Sequence, residues 1–312
     1  MKKIDFSKKD LLFLAPLAGF SDLPFRKVVK KFGVDVTISE MISANAFIYH
    51  SKKTLKMIQK SKEEDPFIVQ ISGSNVDVIK ETVLMLNDME GIDGIDLNCG
   101  CPVRKVVKTG AGSGLLKDLK LMGEIIYTIK KYSKKQYLSV KSRLGFDKKI
   151  PQEIVKVVQE NGANWIVFHG RTQKDMYMPQ KIDYLSIAKA KEVAKIPVVA
   201  NGDITSLEKA NLVKKITNCD AIMIGRGAIG NPWLFYQIKH NLQEVKKEKI
   251  KEIVLEHFKA VMDFYGQRGV SIFRKHLHTY SKSFPNATKF REKVNKIIDP
   301  LELQNEIKNF FD

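Results

Sequence analysis

The chain has 312 residues, of which 44% are hydrophobic, and this size suits one large α/β domain with an appendage, or two domains. No apolar run reaches the roughly 20 residues that a membrane span requires, so we expect no membrane partner. The 53 Lys and Arg residues exceed the 35 Asp and Glu residues, and the net charge of +18 indicates either a polyanionic partner or a lysine-rich surface.

The amino terminus and the cysteine content predict a cytoplasmic protein. The basic start is followed by an apolar stretch that is short, has no convincing cleavage site and continues into a patterned fold, so a signal peptide is not expected. Three cysteines cannot pair completely, which fits a reducing compartment.

Short, apolar, β-branched runs alternate with longer amphipathic segments over the first 230 residues. The amphipathic segments include 75–89, 151–162 and 206–216, and the last two begin with Pro and Ser, which favour helix starts. Strands that are apolar throughout and separated by helices pair in parallel with both faces covered. Eight such repeats predict an α/β fold, a (β/α)8 TIM barrel over residues 1–240, with a doubly wound sheet as the alternative. The runs are 11–18, 35–41, 67–73, 94–100, 137–145, 165–171, 196–204 and 221–229.

The alternation stops after residue 230, and the rest of the chain has helical patterns, beginning with 234–245. We predict a small all-helical C-terminal domain over residues 245–312, in which Gly266 ends one helix. Bases alternate with aromatic residues in FRKHLHTYSKSF (273–284), a mixture that suits phosphate contact and base stacking. A solvated face of an amphipathic helix gives the same pattern.

Polar or special residues stand at the carboxyl end of every run. In a (β/α)8 barrel these ends converge on one mouth, where active sites are built. The sequence therefore predicts an active site at this mouth. The residues are Pro16, Glu40, Gln70, Asn98 with Cys101, Lys141 with Arg143, His169 with Arg171, Asn201 with Asp203, and Gly225 with Arg226.

A glycine-rich turn follows the last run. Gly225, Gly227 and Gly230 have the spacing GxGxxG, but the next strand that a dinucleotide-binding unit requires is missing from the pattern. The same turn after an eighth strand, with NGD (201–203) closing the seventh, matches the phosphate site of TIM barrels, and Arg226 adds charge. We predict a phosphorylated ligand such as flavin mononucleotide (FMN); glycines that only tighten a turn are the alternative.

The remaining polar residues at the mouth suit a flavin ring. Gln70 and Asn201 can each donate and accept hydrogen bonds, as the edge of the ring requires. Lys141 is expected to face the mouth, where a cation stabilises the negative charge of a reduced flavin. His169 is expected against the ring or the phosphate.

Two of the three cysteines lie in NCGCP (98–102). A metal site is not expected, because Cys99 and Cys101 lack two further ligands nearby and the histidines are dispersed. We expect Cys99 to pack as a small hydrophobic residue, and a disulfide between the two is disfavoured by geometry.

Seven segments in this order carry a family resemblance: APLAGFSDLPFR (15–26), NCGCP (98–102), AGSGLL (111–116), KSRLG (141–145), HGRT (169–172), VVANGDI (198–204) and MIGRGAIGNPW (223–233). Together they resemble the bacterial tRNA-dihydrouridine synthases, most closely the DusB branch. The basic helical tail fits the tRNA-binding domain of that family. Segment 176–184 is only loosely similar to it, so no contacts are transferred there.

The resemblance implies an FMN enzyme that takes electrons from NADPH and reduces the C5=C6 bond of specific uridines in tRNA. It implies hydride transfer from flavin N5 to C6 and proton transfer from Cys101 to C5. Asn98 and Arg171 are implied contacts to the uracil or to neighbouring tRNA. The implied FMN contacts are Pro16, Leu17, Ala18, Gln70, Lys141, His169, Asn201, Gly202, Asp203, Gly225 and Arg226.

A thiol suits the role of proton donor, because its ordinary pKa of about 8.5 leaves it mostly protonated at neutral pH. We therefore expect the neighbouring Arg104 and Lys105 to face tRNA phosphates rather than the Cys101 sulfur. Two other hypotheses remain at this point. One is a flavin-dependent reductase or dehydrogenase of free pyrimidines, similar to dihydroorotate dehydrogenase, and the other is an RNA-binding barrel without catalysis.

Overall fold

The computed structural model describes residues 3–8, 10–242 and 247–312, and its strands form one closed parallel barrel. β1 pairs with both β2 and β9, and β2 pairs with β4, which closes the barrel with eight strands. The two-residue β3 extends the sheet beside the end of β4. The strands are β1 (Leu12–Leu14), β2 (Val36–Ile38), β3 (Ile42–Ser43), β4 (Phe67–Ser72), β5 (Gly94–Cys99), β6 (Tyr137–Arg143), β7 (Trp165–His169), β8 (Val198–Asn201) and β9 (Ala221–Ile224).

Helices separate the barrel strands, so the predicted (β/α)8 fold is confirmed and each predicted run contains a strand. Local signals set several helix starts: the side chains of Asp22, Asn75 and Ser206 each accept a backbone N–H of the first turn of their helix. The helices up to residue 240 are α1 (Leu23–Lys31), α2 (Ala44–Ile48), α3 (Lys52–Met57), α4 (Val76–Asn87), α5 (Arg104–Val107), α6 (Leu119–Tyr132), α7 (Pro151–Glu160), α8 (Tyr184–Val193), α9 (Leu207–Thr217) and α10 (Leu234–His240).

Alternation along the strands divides the barrel into an outer and an inner face. In β5, Ile95, Leu97 and Cys99 belong to the core that packs against the helices, so Asp96 and Asn98 point to the barrel axis. Cys99 is completely buried, as expected of a packing residue. The three cysteines are all free thiols.

The amino-terminal half of the barrel interior is apolar. Trp165 is completely buried there, and the rings of Phe6 and Phe13 lie 5.7 and 6.1 Å from it. Tyr137 contacts Trp165 from another strand at 5.6 Å. This filled half leaves only the carboxyl-terminal half of the interior for a ligand.

The C-terminal helices have a core of their own, separate from that of the barrel. Its members include Phe258, Phe273 and Leu303. Within the described residues this region begins with α11, while 243–246, at the predicted domain start, lie outside them. That residues 245–312 form an independent domain stays a prediction. The helices are α11 (Lys247–Tyr265), α12 (Gly269–Tyr280), α13 (Ala287–Val294) and α14 (Pro300–Phe310).

Two helix ends near this region follow from backbone conformation. The predicted helical segment 234–245 stops at His240, because Asn241 takes a left-handed conformation with φ of 53°. The expected end at Gly266 is confirmed, since α11 stops at Tyr265 and Gly266 has φ of 59°.

An aromatic cluster, here called the junction, joins the C-terminal helices to the barrel. It consists of Phe20 and Phe25 from the barrel side and His257, His276 and Tyr280 from α11 and α12. The Phe25 ring lies 5.5 Å from His257 and 5.8 Å from His276. None of the helices within the described ranges combines the length and the hydrophobicity needed to cross a membrane.

Candidate active site

A cavity of about 550 Å³ lies at the carboxyl ends of the barrel strands. It is the place where the sequence predicts an active site, and its wall contains all the predicted site residues except Arg171. These residues are Pro16, Leu17, Ala18, Gln70, Asn98, Cys101, Lys141, His169, Asn201, Gly202, Asp203, Gly225 and Arg226.

Strand register explains why residues far apart in the chain meet here. Asn98 pairs with Lys141 across β5 and β6, and His169 pairs with Asn201 across β7 and β8. Paired residues on parallel strands project to the same face of the sheet. The inward face at the carboxyl ends therefore becomes polar while the same face lower in the barrel is apolar.

The loop that carries Cys101 is held on both of its backbone edges. Asn98 Oδ1 accepts the N–H groups of Gly100 and Cys101 at 3.1 and 2.8 Å. The Cys101 carbonyl accepts the Ser113 hydroxyl at 2.8 Å, and the Gly100 carbonyl accepts Arg143 Nε at 2.9 Å. These bonds fix where the Cys101 side chain leaves the backbone.

Lys141 is the cation at the centre of the mouth. Its ammonium donates to Asn201 Oδ1 at 3.2 Å, and Asn201 Nδ2 donates to the Met223 carbonyl at 2.7 Å. Burial lowers the pKa of Lys141 to about 8, although the negative charge of Asp96 opposes this shift. Lys141 is thus charged at neutral pH and loses its proton within a unit or so above it.

His169 has an unsatisfied ring nitrogen at the cavity. Its Nδ1 is buried and has no hydrogen-bond partner among the described residues. Burial holds the pKa of His169 well below its ordinary range, and the positive charge of Lys141 adds to this effect. The ring is therefore neutral at physiological pH, and its free nitrogen is a contact point for a ligand.

The glycine turn at the end of β9 forms the other side of the cavity. A short 3-10 turn, Arg226–Ala228, begins directly after Gly225. Arg226 donates to Asp203 Oδ1 at 2.7 Å, which fixes the direction of its guanidinium. Burial alone would raise the pKa of Asp203, but its bonds with Arg171 and Arg226 lower it below its ordinary value.

Arg171 is the one predicted site residue that is not in the cavity wall. Its side chain is completely buried. It forms an ion pair with Asp203, and its Nε donates to the Met178 carbonyl at 2.8 Å. This placement favours a role in holding Asp203 over direct contact with a substrate.

Tyr177 is a cavity residue that the sequence patterns do not single out. The Arg143 and Arg226 guanidinium carbons lie 5.3 and 5.2 Å from its ring centroid. Arg143 also donates to the Met176 carbonyl at 2.7 Å and so connects this segment to the Cys101 loop. The only signal in the sequence was an aromatic residue next to proline in a segment that follows no strand pattern.

Metal chemistry has no visible support in the described part of the chain. Across residues 3–8, 10–242 and 247–312 there is no group of three or more His, Cys, Asp or Glu side chains arranged to hold a metal ion.

Comparison with known proteins identifies the family. Residues 13–312 match the family model of the dihydrouridine synthases (Dus). The chain belongs to the dihydrouridine synthase family. It is 50% identical over 308 residues to a Helicobacter pylori protein named "Probable tRNA-dihydrouridine synthase", with 99% of this chain and 94% of the relative covered. It is 36% identical to "tRNA-dihydrouridine synthase B" of Pasteurella multocida, with 98% and 94% covered.

Solved structures support the fold of this dihydrouridine synthase family member. A 6-hydroxypseudooxynicotine amine oxidase from Pseudomonas geniculata N1 superposes with a TM-score of 0.55 at 14% identity, over 78% of this chain and 50% of the other. A morphinone reductase variant in complex with tetrahydroNAD gives a TM-score of 0.53 at 10% identity, over 76% and 89%. At these identities the likeness concerns the barrel alone.

Proposed function

We propose that this protein is a cytoplasmic tRNA-dihydrouridine synthase that reduces the C5=C6 bond of uridines in tRNA, with FMN as its flavin and NADPH as electron donor. The observation that carries the proposal is that Cys101 and the turn Gly225–Gly227 line the same cavity. A proton donor and a phosphate-binding turn thus face one ligand space. The family match and the relatives named for this activity support the same function.

The residues of the cavity fit FMN. Its volume of about 550 Å³ is within the range of cofactor sites. The buried Nδ1 of His169 lacks a partner in the described chain, and an unsatisfied buried polar atom costs about 1–3 kcal/mol. The glycine turn with Arg226 suits the phosphate, and Gln70 and Asn201 suit the polar edge of the ring.

When bound, the flavin supplies the hydride that adds to C6 of the uracil. Lys141 holds a positive charge next to Asn201 and stabilises negative charge on the reduced ring. Asn98 and the Cys101 loop lie across the cavity from the glycine turn and orient the uracil.

Cys101 completes the reaction as general acid. Its S–H proton passes to C5, so the double bond gains a hydride and a proton while NADPH is oxidised to NADP⁺. The resulting thiolate is stabilised by the charge of Lys141, with which the sulfur interacts. A proton from solvent then restores the thiol.

The rim of the cavity suits an RNA ligand. The uridine must leave its stack to reach the cavity, and the exposed Val103 and Tyr177 offer apolar contact for a base. Arg104 and Lys105 are exposed on α5 beside Cys101, where they can meet phosphates. We include the C-terminal helices in the tRNA-binding surface on account of their exposed cations. These are Lys282, Lys289 and Lys296.

The test uses the purified full chain with unmodified tRNA. We expect a yellow protein that releases FMN, oxidises NADPH faster than NADH and forms dihydrouridine, detected by mass after nuclease digestion. A protein that cannot be loaded with any flavin would contradict the proposal. Reduction or oxidation of free pyrimidines without action on tRNA would instead support a flavin enzyme of free bases.

A further inference from the structure

A chain of hydrogen-bonded side chains leads from the barrel interior to the Cys101 loop. Gln70 Nε2 donates to Asp96 Oδ2 at 2.7 Å, and Asn98 Nδ2 donates to Gln70 Oε1 at 2.8 Å. Asn98 Oδ1 then accepts the N–H groups of Gly100 and Cys101. Asp96 and Gln70 are completely buried and Asn98 is 7% exposed, so water does not replace these partners.

The direction of this chain is set at the Asp96 end. A carboxylate only accepts hydrogen bonds, whereas the amides of Gln70 and Asn98 present a donor on one side and an acceptor on the other. The Gln70 NH₂ must therefore face Asp96, which turns its oxygen towards Asn98. The Asn98 NH₂ must then face Gln70, which leaves the Asn98 oxygen for the backbone N–H groups of the loop.

The surroundings keep Asp96 an acceptor. The Ser139 hydroxyl donates to its other oxygen at 2.6 Å. Burial raises the pKa of Asp96 to about 6, while bonds from Ser139 and Gln70 and the charge of Lys141 act in the opposite direction. The carboxylate form therefore predominates at neutral pH.

We propose that Asp96 is a positioning residue that orients Gln70 and Asn98 and thereby fixes the backbone of Cys101. This inference rests on the proposed function, in which Cys101 protonates the uracil. Asp96 is absent from the cavity wall, so its influence passes through Gln70 and Asn98.

Replacing Asp96 by Asn removes the fixed direction with little change in shape. The new amide can donate to Gln70 Oε1, which lets Gln70 and then Asn98 turn over. Asn98 would then present its NH₂ to the N–H groups of Gly100 and Cys101, and donors would face donors. The loop loses its acceptor and moves.

A double variant, Asp96→Asn with Asn98→Asp, reverses the whole chain. Asn at position 96 donates to Gln70 Oε1, Gln70 donates to the new carboxylate, and that carboxylate accepts the loop N–H groups. The loop regains its acceptor although Asp96 is gone. A residue that only filled space would give no such rescue.

The experiment measures amide hydrogen exchange of the peptide that contains Gly100 and Cys101, in the full chain. We expect exchange to be about fivefold faster or more in Asp96→Asn, and to return to within about twofold of wild type in the double variant. Ser139→Ala is the matched control, because it removes a bond to Asp96 without changing the direction of the chain, and it should leave exchange unchanged.

Wild-type exchange in Asp96→Asn, or equally fast exchange in the single and double variants, would overturn the proposal. Should Asp96→Asn fail to fold, Gln70→Met breaks the same chain and must speed exchange of these amides, and slow exchange there overturns the proposal as well. Single-turnover reduction of uridine in Asp96→Asn should fall about fivefold or more without weaker tRNA binding. If wild type forms no dihydrouridine, the proposed function fails while the exchange data still decide the role of Asp96.

Discussion

The mouth of the barrel and the junction with the C-terminal helices treat buried polar groups in opposite ways. At the mouth, side chains form continuous chains, from Asp96 to the Cys101 loop and from Lys141 through Asn201 to a backbone carbonyl. At the junction, within the described residues, both ring nitrogens of His276 and Nε2 of His257 have no partner. Hydrogen bonds thus fix geometry where chemistry is expected, and ring packing suffices at the junction.

The junction histidines behave as aromatic spacers. Burial lowers the pKa of His257 to about 3 and holds that of His276 well below its ordinary range. The His276 ring stacks on Phe25 and Phe273 at 5.8 and 5.7 Å. Substitutions in the two regions should therefore affect different quantities, rates at the mouth and folding stability at the junction.

Lys141→Met should give the largest effect, and on a rate. Removing one preorganised charge-stabilising group costs about 10²-fold in rate, so flavin reduction by NADPH should slow by that factor in stopped-flow measurements. In wild type the rate should fall as the pH rises through about 8, where Lys141 loses its proton, and the variant should lack this decline. Lys141→Arg is the control that keeps the charge. An unchanged rate in Lys141→Met would show that mouth and junction do not differ in this way.

The exposed rim of the mouth should give an intermediate effect, on tRNA binding. We expect the double variant Arg104→Gln with Lys105→Gln to weaken tRNA binding about tenfold and to lower the salt dependence by one to two phosphate contacts, about 0.7–0.9 in slope each. Flavin reduction should not change. Lys131→Gln with Lys134→Gln, exposed at the amino-terminal end of the barrel, is the control of equal charge. Equal weakening by both pairs would remove the rim from the tRNA surface.

The junction should give the smallest effects, of opposite sign for its two histidines. His276→Phe loses no described hydrogen bond and should raise the free energy of unfolding by about 1 kcal/mol, whereas His257→Phe leaves the Tyr280 hydroxyl, 3.0 Å from Nδ1, unpaired and should lower it by about as much. Urea titration at pH 7 measures both. Equal losses in the two variants would mean that ring shape rather than hydrogen bonding decides.

Acid should also separate these variants. Because the folded chain lowers the pKa of both histidines, the unfolded chain binds more protons below their ordinary pKa of about 6.5, and wild-type stability falls as the pH decreases from there. Lys275 adds to the shift of both rings, and burial raises the pKa of the neighbouring Tyr280, so that phenol stays neutral in this range. A variant with Phe at position 276 should lose less stability between pH 6.5 and pH 5.

The sequence predicts the barrel well because its signals are local and repeated. Apolar runs separated by amphipathic segments give the strand order, and the polar residues at the ends of those runs need only the closure of the sheet to meet. Cys101, Lys141 and the glycine turn therefore reach one cavity as expected.

The parts that sequence patterns missed depend on pairs distant in the chain. The burial of Arg171 against Asp203 and the placement of Tyr177 between two guanidiniums depend on how one loop folds over the mouth. The role of Asp96 depends on the order of donors and acceptors across two strands, which hydrophobic periodicity does not encode.

The most direct test compares wild type with Cys101→Ala in a single turnover. Each protein, reduced in advance without oxygen, is mixed with unmodified tRNA, and dihydrouridine is counted against reoxidised flavin. We expect wild type to form one dihydrouridine per reduced flavin, and Cys101→Ala to be slower by about 10²–10⁴-fold with unchanged reduction by NADPH. Dihydrouridine formation at the wild-type rate in Cys101→Ala would contradict the assignment of Cys101 as the proton donor.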